Sequence, residues 1–438
     1  MRKIQTCWGY PAVLLAQILI VWIYGLGVWA AVLSAVAAGV ALRRIRISMA
    51  REKGYEEEYR ETALYLEQLL CSYRRLEHAG KALEDCSAIF ESNSRMGQAI
   101  DRARHVLRTG EGVEDGRIYE AAFEKIEEVY DSRRLRIVHT FLCNGERMGG
   151  ETGRSVDILL EDLQLWKNRT GLYQNRKRFI KVECGISAGL SVLLCYVSRL
   201  LTPEELGFQI CDSVVYQVST LLVFLILWFV IASIYRKLSG PWLDIREQED
   251  EEFQKKQKKL YGILCGKGKK ASLLSRHVAK KVVGKYVKGE FPYWLLLVTL
   301  YLQSQSSYQA LRYSMKETRG IFCDEIRKMT EGIYDSPRDL NPYLGFFEPL
   351  HLPEIQSGMK ILYSVSANGY EDSRRQMDFL VAQNNRLMDQ SERLIQNNKM
   401  AGMSLLKQLP MLVSCVKLLV DLASLLTMTM QNFQNIQL

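Results

Sequence analysis

The strongest constraint on this chain is that its second half repeats the layout of its first. In each half a charged, helix-forming segment ends in a long helix that runs into an apolar stretch of membrane-spanning length. The first copy covers residues 55–202 and the second 291–429. At an offset of 221, the run Val156, Asp157, Ile158, Leu159, Leu160 pairs with Met377, Asp378, Phe379, Leu380, Val381, and Trp166 and Tyr173 pair with Leu387 and Leu394. Upstream, Asn144-Gly145 matches Asn368-Gly369 at an offset of 224, so the first copy is three residues longer in between. A duplicated segment hung from apolar helices is the layout of a scaffold more than of an enzyme.

Three further apolar features set the membrane reading. Crossing an apolar layer of ~30 Å takes about 20 helical residues. Residues 7–42 carry no charge and are too long for one crossing, while Gly25-Leu26-Gly27 supplies a reversal near their middle. Arg2 and Lys3 before the block, and Arg43, Arg44 and Arg46 after it, suit two crossings with both ends cytoplasmic; one tilted span is the alternative. Residues 184–202 and 214–236 form a second hairpin, whose loop holds Glu204, Glu205 and Asp212 but no Lys or Arg. Its flanks hold Arg176, Lys177, Arg178, Lys181, Arg236 and Lys237, which places the loop outside and both large segments in the cytosol. Residues 405–429 are expected to make a last span despite Lys407, Lys417 and Asp421; Lys417 and Asp421 stand one helical turn apart and can neutralise each other. The expected topology is a cytosolic N-terminus, two outward hairpins and a C-terminus outside after a fifth span. The domain boundaries that follow are 1–50 (N-terminal hairpin), 51–182 (first cytosolic domain), 183–237 (hairpin), 238–290 (charged linker), 291–403 (second cytosolic domain) and 404–438 (final span).

Apolar positions recur every seven residues at Leu159, Trp166, Tyr173 and Ile180, and at Leu380, Leu387 and Leu394. That stripe belongs to a long helix packing at a shallow angle, so the fold class is all-α, with two helical-bundle domains. Ser336-Pro337 and Asn341-Pro342 read as helix starts, and Gly145 and Gly369 as helix ends.

Charge confines the partners. Residues 254–289 hold twelve Lys and Arg and no acid, more than the chain's formal net charge of +9, so the remainder is net acidic. Basicity concentrated in one linker argues against a nucleic-acid binder. Within it Leu274, Val278, Val282 and Tyr286 step by four beside Lys280, Lys281, Lys285 and Lys288. This amphipathic helix suits either an anionic leaflet or docking on the second domain.

Catalytic patterns are missing. The ten cysteines form no CxxC pair, and the five histidines (His78, His105, His139, His277 and His351) are scattered. There is no phosphate-binding Gly-x4-Gly-Lys loop, no GxSxG and no HExxH. Gly266-x-Gly268-x-x-Ala271 follows no strand and carries no dinucleotide argument. No enzyme activity, cofactor or metal is expected.

One stretch, Gly145-Glu146-x-x-Gly149-Gly150 followed by the helix from 155, resembles the F domain of type II secretion systems. The second copy is similar to the Tad (tight adherence) branch of that family. The resemblance rests there on Phe346-Phe347-Glu348, Leu352-Pro353-Glu354, Met359-Lys360-x-Leu362-Tyr363, Ala401-Gly402-Met403 and Leu409-Pro410-Met411. It covers nearly the whole chain apart from the N-terminal hairpin and the basic linker. The usual glycine pair is stretched here to Gly145–Gly153, a departure that puts contact residues in that loop in doubt.

The resemblance implies about six helices per domain and a bacterial inner-membrane platform for a type II secretion or type IV pilus machine. Its implied partners are a hexameric cytosolic ATPase, pilin subunits, a second platform protein or further copies of itself, and membrane lipids. A polytopic transporter or membrane-anchored receptor is the alternative. The charged loop Gly145, Glu146, Arg147, Gly149, Gly150, Glu151 and Arg154 is the candidate docking point for the ATPase.

Overall fold

The computed structural model describes residues 9–110, 117–130, 132–149, 152–200, 213–240, 251–266, 272–367 and 370–436. Every regular element among them is helical. In chain order these are α1 (Gly9–Tyr24), α2 (Val28–Leu76), α3 (Ala79–Ser87), α4 (Arg95–Thr109), α5 (Ile118–Glu127), α6 (Arg133–Met148), α7 (Gly153–Leu200) and α8 (Val214–Leu238). Then follow α9 (Glu251–Leu264), α10 (Leu273–Tyr301), α11 (Ser307–Lys316), α12 (Gly320–Asp335), α13 (Asn341–Leu344), α14 (Pro353–Ala367), α15 (Tyr370–Met400) and α16 (Met403–Ile436).

The chain divides into two compact units. One comprises 1–55, 171–240 and 397–438; the other comprises 56–170 and 241–396.

In the second of these units the duplication is legible in the interior. At an offset of 225, Leu66, Leu69, Leu70 and Tyr73 of α2 match Phe291, Trp294, Leu295 and Val298 of α10, and all eight are buried. At 224, Leu135, Val138 and Phe141 of α6 match Met359, Leu362 and Val365 of α14, again all buried. At 221, Val156, Leu159 and Trp166 of α7 match Met377, Leu380 and Leu387 of α15, with the same result. Core positions recur because each repeat buries the same helix faces. Two apolar clusters result. One gathers Leu66, Leu83, Ile100, Phe123, Leu142 and Trp166; the other gathers Phe291, Trp294, Phe322, Phe346, Phe347 and Leu362.

The helices α7 and α15 run in the same direction. Arg154 pairs with Asp378, Glu161 accepts from Asn385 at 3.3 Å, and Arg169 pairs with Glu392 at 2.7 Å. The spacings of 223–224 put each contact about one helical turn beyond the repeat counterpart at 221.

Parts of the expected linker 238–290 pack into the second cluster. Tyr261 of α9 and Val283, Tyr286 and Val287 of α10 lie in the second cluster, and the Tyr261 ring stands edge-on to Phe347 at 5.6 Å. Nor does Ser336-Pro337 start a helix: Ser336 caps the C-terminus of α12, its amide donating to the Gly332 carbonyl. A helix does begin at Asn341, with Asp339 rather than Asn341 supplying the side-chain acceptor at its N-terminus.

In the other unit, among the described residues, polarity is inverted. Large apolar side chains face outward on α1, α2, α7 and α8, among them Trp22, Val32, Val36, Ile186, Leu193, Leu222 and Phe229. The polar groups turn inward. The Gln217 amide nitrogen donates to the Gly25 carbonyl at 3.0 Å, and its oxygen accepts from the Gly27 amide at 2.9 Å, which satisfies the backbone where α1 reverses into α2. Gly25 adopts the left-handed conformation at that reversal (φ 57°), as its sequence context predicts. Groups that must be satisfied without water are the mark of a chain segment built for an apolar solvent.

Among the described residues, four helices are long and apolar enough to cross a membrane: α2, α7, α8 and α16. The remaining expected span falls on α1.

Candidate functional site

The loop expected to dock a partner is largely committed to the fold. Gly145 does not end α6, which continues to Met148. A β-carbon at Gly145 would come within 2.5 Å of the Tyr73 hydroxyl, so glycine is needed there for close approach. Gly149 is the true C-cap, with φ 67° and its amide donating to the Gly145 carbonyl. The Glu146 carboxylate accepts from the Ala79 amide and so satisfies the N-terminus of α3. Arg154 is tied to Asp378. Arg147 is the exposed member: it donates to the Asn144 side chain at 2.6 Å and lies 3.8 Å from Glu120. Gly150 and Glu151 lie outside the described residues, as does Gly369 of the second copy.

Arg147 borders an open polar cleft of about 610 Å³, lined among others by Glu120, Glu124, Glu127, Tyr301 and Glu317. At its floor the buried His139 links the Tyr65 hydroxyl (3.0 Å) to the Glu127 carboxylate (2.7 Å), and its ring stacks on Phe123 at 4.2 Å. Burial pushes the Cys143 thiol up, favouring its neutral form. Among the described residues no group of three or more His, Cys, Asp or Glu side chains is placed to hold a metal ion.

The most elaborate polar assembly was not anticipated from the sequence. Arg134 of α6 donates to Asp162 of α7 at 2.9 Å, to Glu392 of α15 at 2.8 Å and to the Tyr293 hydroxyl of α10 at 3.4 Å. Arg169 of α7 closes the ring, 2.7 Å from Glu392 and 3.6 Å from Asp162. The guanidinium of Arg134 also sits 5.1 Å from the Trp166 ring. Two cations and two anions, all nearly buried, leave no net charge for a ligand to answer. Burial pushes the Glu392 carboxyl above the usual carboxylate range, against the pull of Arg134 and Arg169. What the assembly can do is fix the register of α6, α7, α10 and α15, since each charge is satisfied only by the others. The sequence signal was weak: two opposite charges two turns apart on the buried face of a long helix, Asp162 and Arg169.

Lys417 and Asp421 do pair, as their spacing predicts, and both are buried on α16. The Lys417 ammonium lies 4.4 Å from the Tyr216 ring of α8. Nearby, Ser191 of α7 hydrogen-bonds Ser414 and the Pro410 carbonyl of α16, and Lys407 pairs with Glu183 at 2.6 Å. Here too partners are 219–224 residues apart, so α7 and α16 run in the same direction.

No family model matches this chain, and no curated protein or solved structure matches it either.

Proposed function

We propose that this chain is a multi-pass platform protein of the bacterial inner membrane, built from two F-type helical domains and serving a type II secretion or Tad-like pilus machine. It couples a cytosolic hexameric ATPase to the extraction and polymerisation of pilin subunits. The observation that carries this reading is the duplication itself: two repeats with matching buried positions, the first ending in α7, which continues into a membrane-length apolar stretch, and the second in α15, which breaks at Ala401-Gly402 (Gly402 φ 76°) before the apolar α16. The resemblance in the glycine loop and in the second copy supplies the machine. Hydrolysis belongs to the partner. This chain supplies long unbroken helices, α2 and α7, through which a displacement is passed on without a hinge.

Docking of the ATPase is assigned to Arg147 and the cleft beside it rather than to Glu146, whose carboxylate is already used. The test is co-purification of a hexameric secretion ATPase from the same cells, together with a filament assay, for Arg147→Glu. Loss of both with normal protein level supports the reading; a variant that still retains the ATPase at full yield removes the cleft from the interface. Topology is tested by thiol labelling of intact cells. Cys71 and Cys265 are exposed and serve as cytosolic reporters, whereas the buried Cys86 would be silent on either side. Labelling of Cys71 from outside would overturn the topology.

A further inference from the structure

The helix α10 changes character along its length. From Phe291 to Tyr301 every residue is buried. Its first three turns are exposed on one side, while Ala279 and Val283 are buried on the other. Ser272 caps the start, and Leu273, Leu274, Val278 and Val282 are all exposed, Leu274 at 75%. The apolar stripe Leu274, Val278, Val282, Tyr286 advances by four residues per step, which turns it by about 40° each time. It therefore spirals from solvent into the core, and only Tyr286 arrives there. Docking on the second core accordingly accounts for the end of the stripe and leaves its first three members uncovered. Around them stand Arg276, Lys280, Lys281 and Lys285, all exposed and, among the described residues, in no ion pair; Lys288, the next cation, is paired with Glu354. No carboxylate occurs between 254 and 289.

We infer that residues 273–282 of α10 form a basic amphipathic foot that lies on an anionic lipid leaflet, with Leu274, Val278 and Val282 in the acyl boundary and the lysines among the headgroups. Apolar side chains exposed singly need no explanation, but three in a row on a cationic helix are the composition of an interfacial segment. Each basic residue near such a surface adds attraction that salt screens. The foot is short, and on its own it would hold weakly. On the reading that α2, α7, α8 and α16 cross a bilayer, however, its encounter with lipid is intramolecular, and weak contacts then suffice.

The test places a photo-reactive benzoylphenylalanine at Val278 of the full chain, in nanodiscs of phosphatidylcholine alone or of phosphatidylcholine mixed with phosphatidylglycerol. Mass spectrometry then identifies the adduct. The expected result is a lipid adduct in the mixed discs, reduced at least about tenfold in the zwitterionic discs, and reduced similarly by high salt or by Lys280→Glu/Lys281→Glu/Lys285→Glu. Equal lipid adducts in both discs, no lipid adduct, or an adduct only to protein each overturn the proposal. Should the triple variant fail to fold, the two lipid compositions decide with the lysines intact. No ATPase or pilin enters the assay, so failure of the platform reading and failure of the foot are told apart.

Discussion

The two repeated cores share their buried positions but not their chemistry. Where the first places Leu66 and Leu69, the second places Phe291 and Trp294; where the first carries Arg134, the second has Gly358 at the matching offset of 224. The two differences are linked. A β-carbon at Gly358 would come within 3.1 Å of the Phe291 ring, so the larger aromatic occupies the space a side chain would need. In the first copy that position instead extends an arginine to Asp162 and Glu392. One architecture is thus held by an aromatic cluster on one side and by a buried ion network on the other. The two halves share the spacing of their buried positions and differ in what fills them.

The largest effect expected from this contrast is in the aromatic core. Phe291→Ala should destabilise the full chain in mild detergent by about 3–5 kcal/mol, and the matching Leu66→Ala by about 2–5 kcal/mol, read as loss of denaturation midpoint. A cost for Phe291→Ala well below that of Leu66→Ala would mean that the second core does not depend on its ring cluster.

Removing one member of the ion network comes next. Arg134→Ala leaves two buried carboxylates to share Arg169 and should cost about 3–5 kcal/mol. The combined change Arg134→Met, Asp162→Leu, Glu392→Gln, Arg169→Met should recover most of that loss, since an apolar filling of similar volume avoids the desolvation cost. If the combined variant were no better than Arg134→Ala, the network would be contributing more than register.

A smaller effect separates the two glycines. Gly145→Ala should cost about 1–3 kcal/mol by overpacking against the Tyr73 hydroxyl, and Tyr73→Phe in the same chain should restore part of it. Gly358→Ala meets the edge of a packed ring instead of a hydroxyl, so no single-atom deletion should rescue it.

The smallest expected effect is on pH dependence. The Glu392 carboxyl is raised above its ordinary value of 4.5, chiefly by burial. The folded chain then holds that proton more tightly than the unfolded one. This contribution is fully present below the ordinary value and is lost as pH rises through the raised one. Thermal midpoints measured across that window should fall with rising pH more steeply in the unsubstituted chain than in Glu392→Gln. Equal slopes would show that Glu392 titrates as an ordinary surface acid.

The local patterns carried much of this in the sequence. The reversal at Gly25, the long helices, the Lys417–Asp421 pair and the repeat offsets of 221 and 224 all follow from spacing along one helix or from a turn residue, and the structure has them where spacing puts them. The glycine loop shows the limit of that reasoning. Its glycines and charges were visible, but Glu146 serves an amide 67 residues away and Gly145 yields to a tyrosine hydroxyl from α2.

By itself, then, the sequence determined that the chain is helical, duplicated and furnished with membrane-length apolar stretches. These properties rest on periodicity and length, which are set within a single helix. The tertiary structure alone decided that Arg134, Asp162, Arg169 and Glu392 meet, that Tyr261, Val283, Tyr286 and Val287 join a core, and that the apolar stripe at Leu274, Val278 and Val282 stays uncovered. Those outcomes depend on which helix faces are brought together from up to 258 residues apart. A heptad or a charge pattern names a face, but only packing names its neighbour.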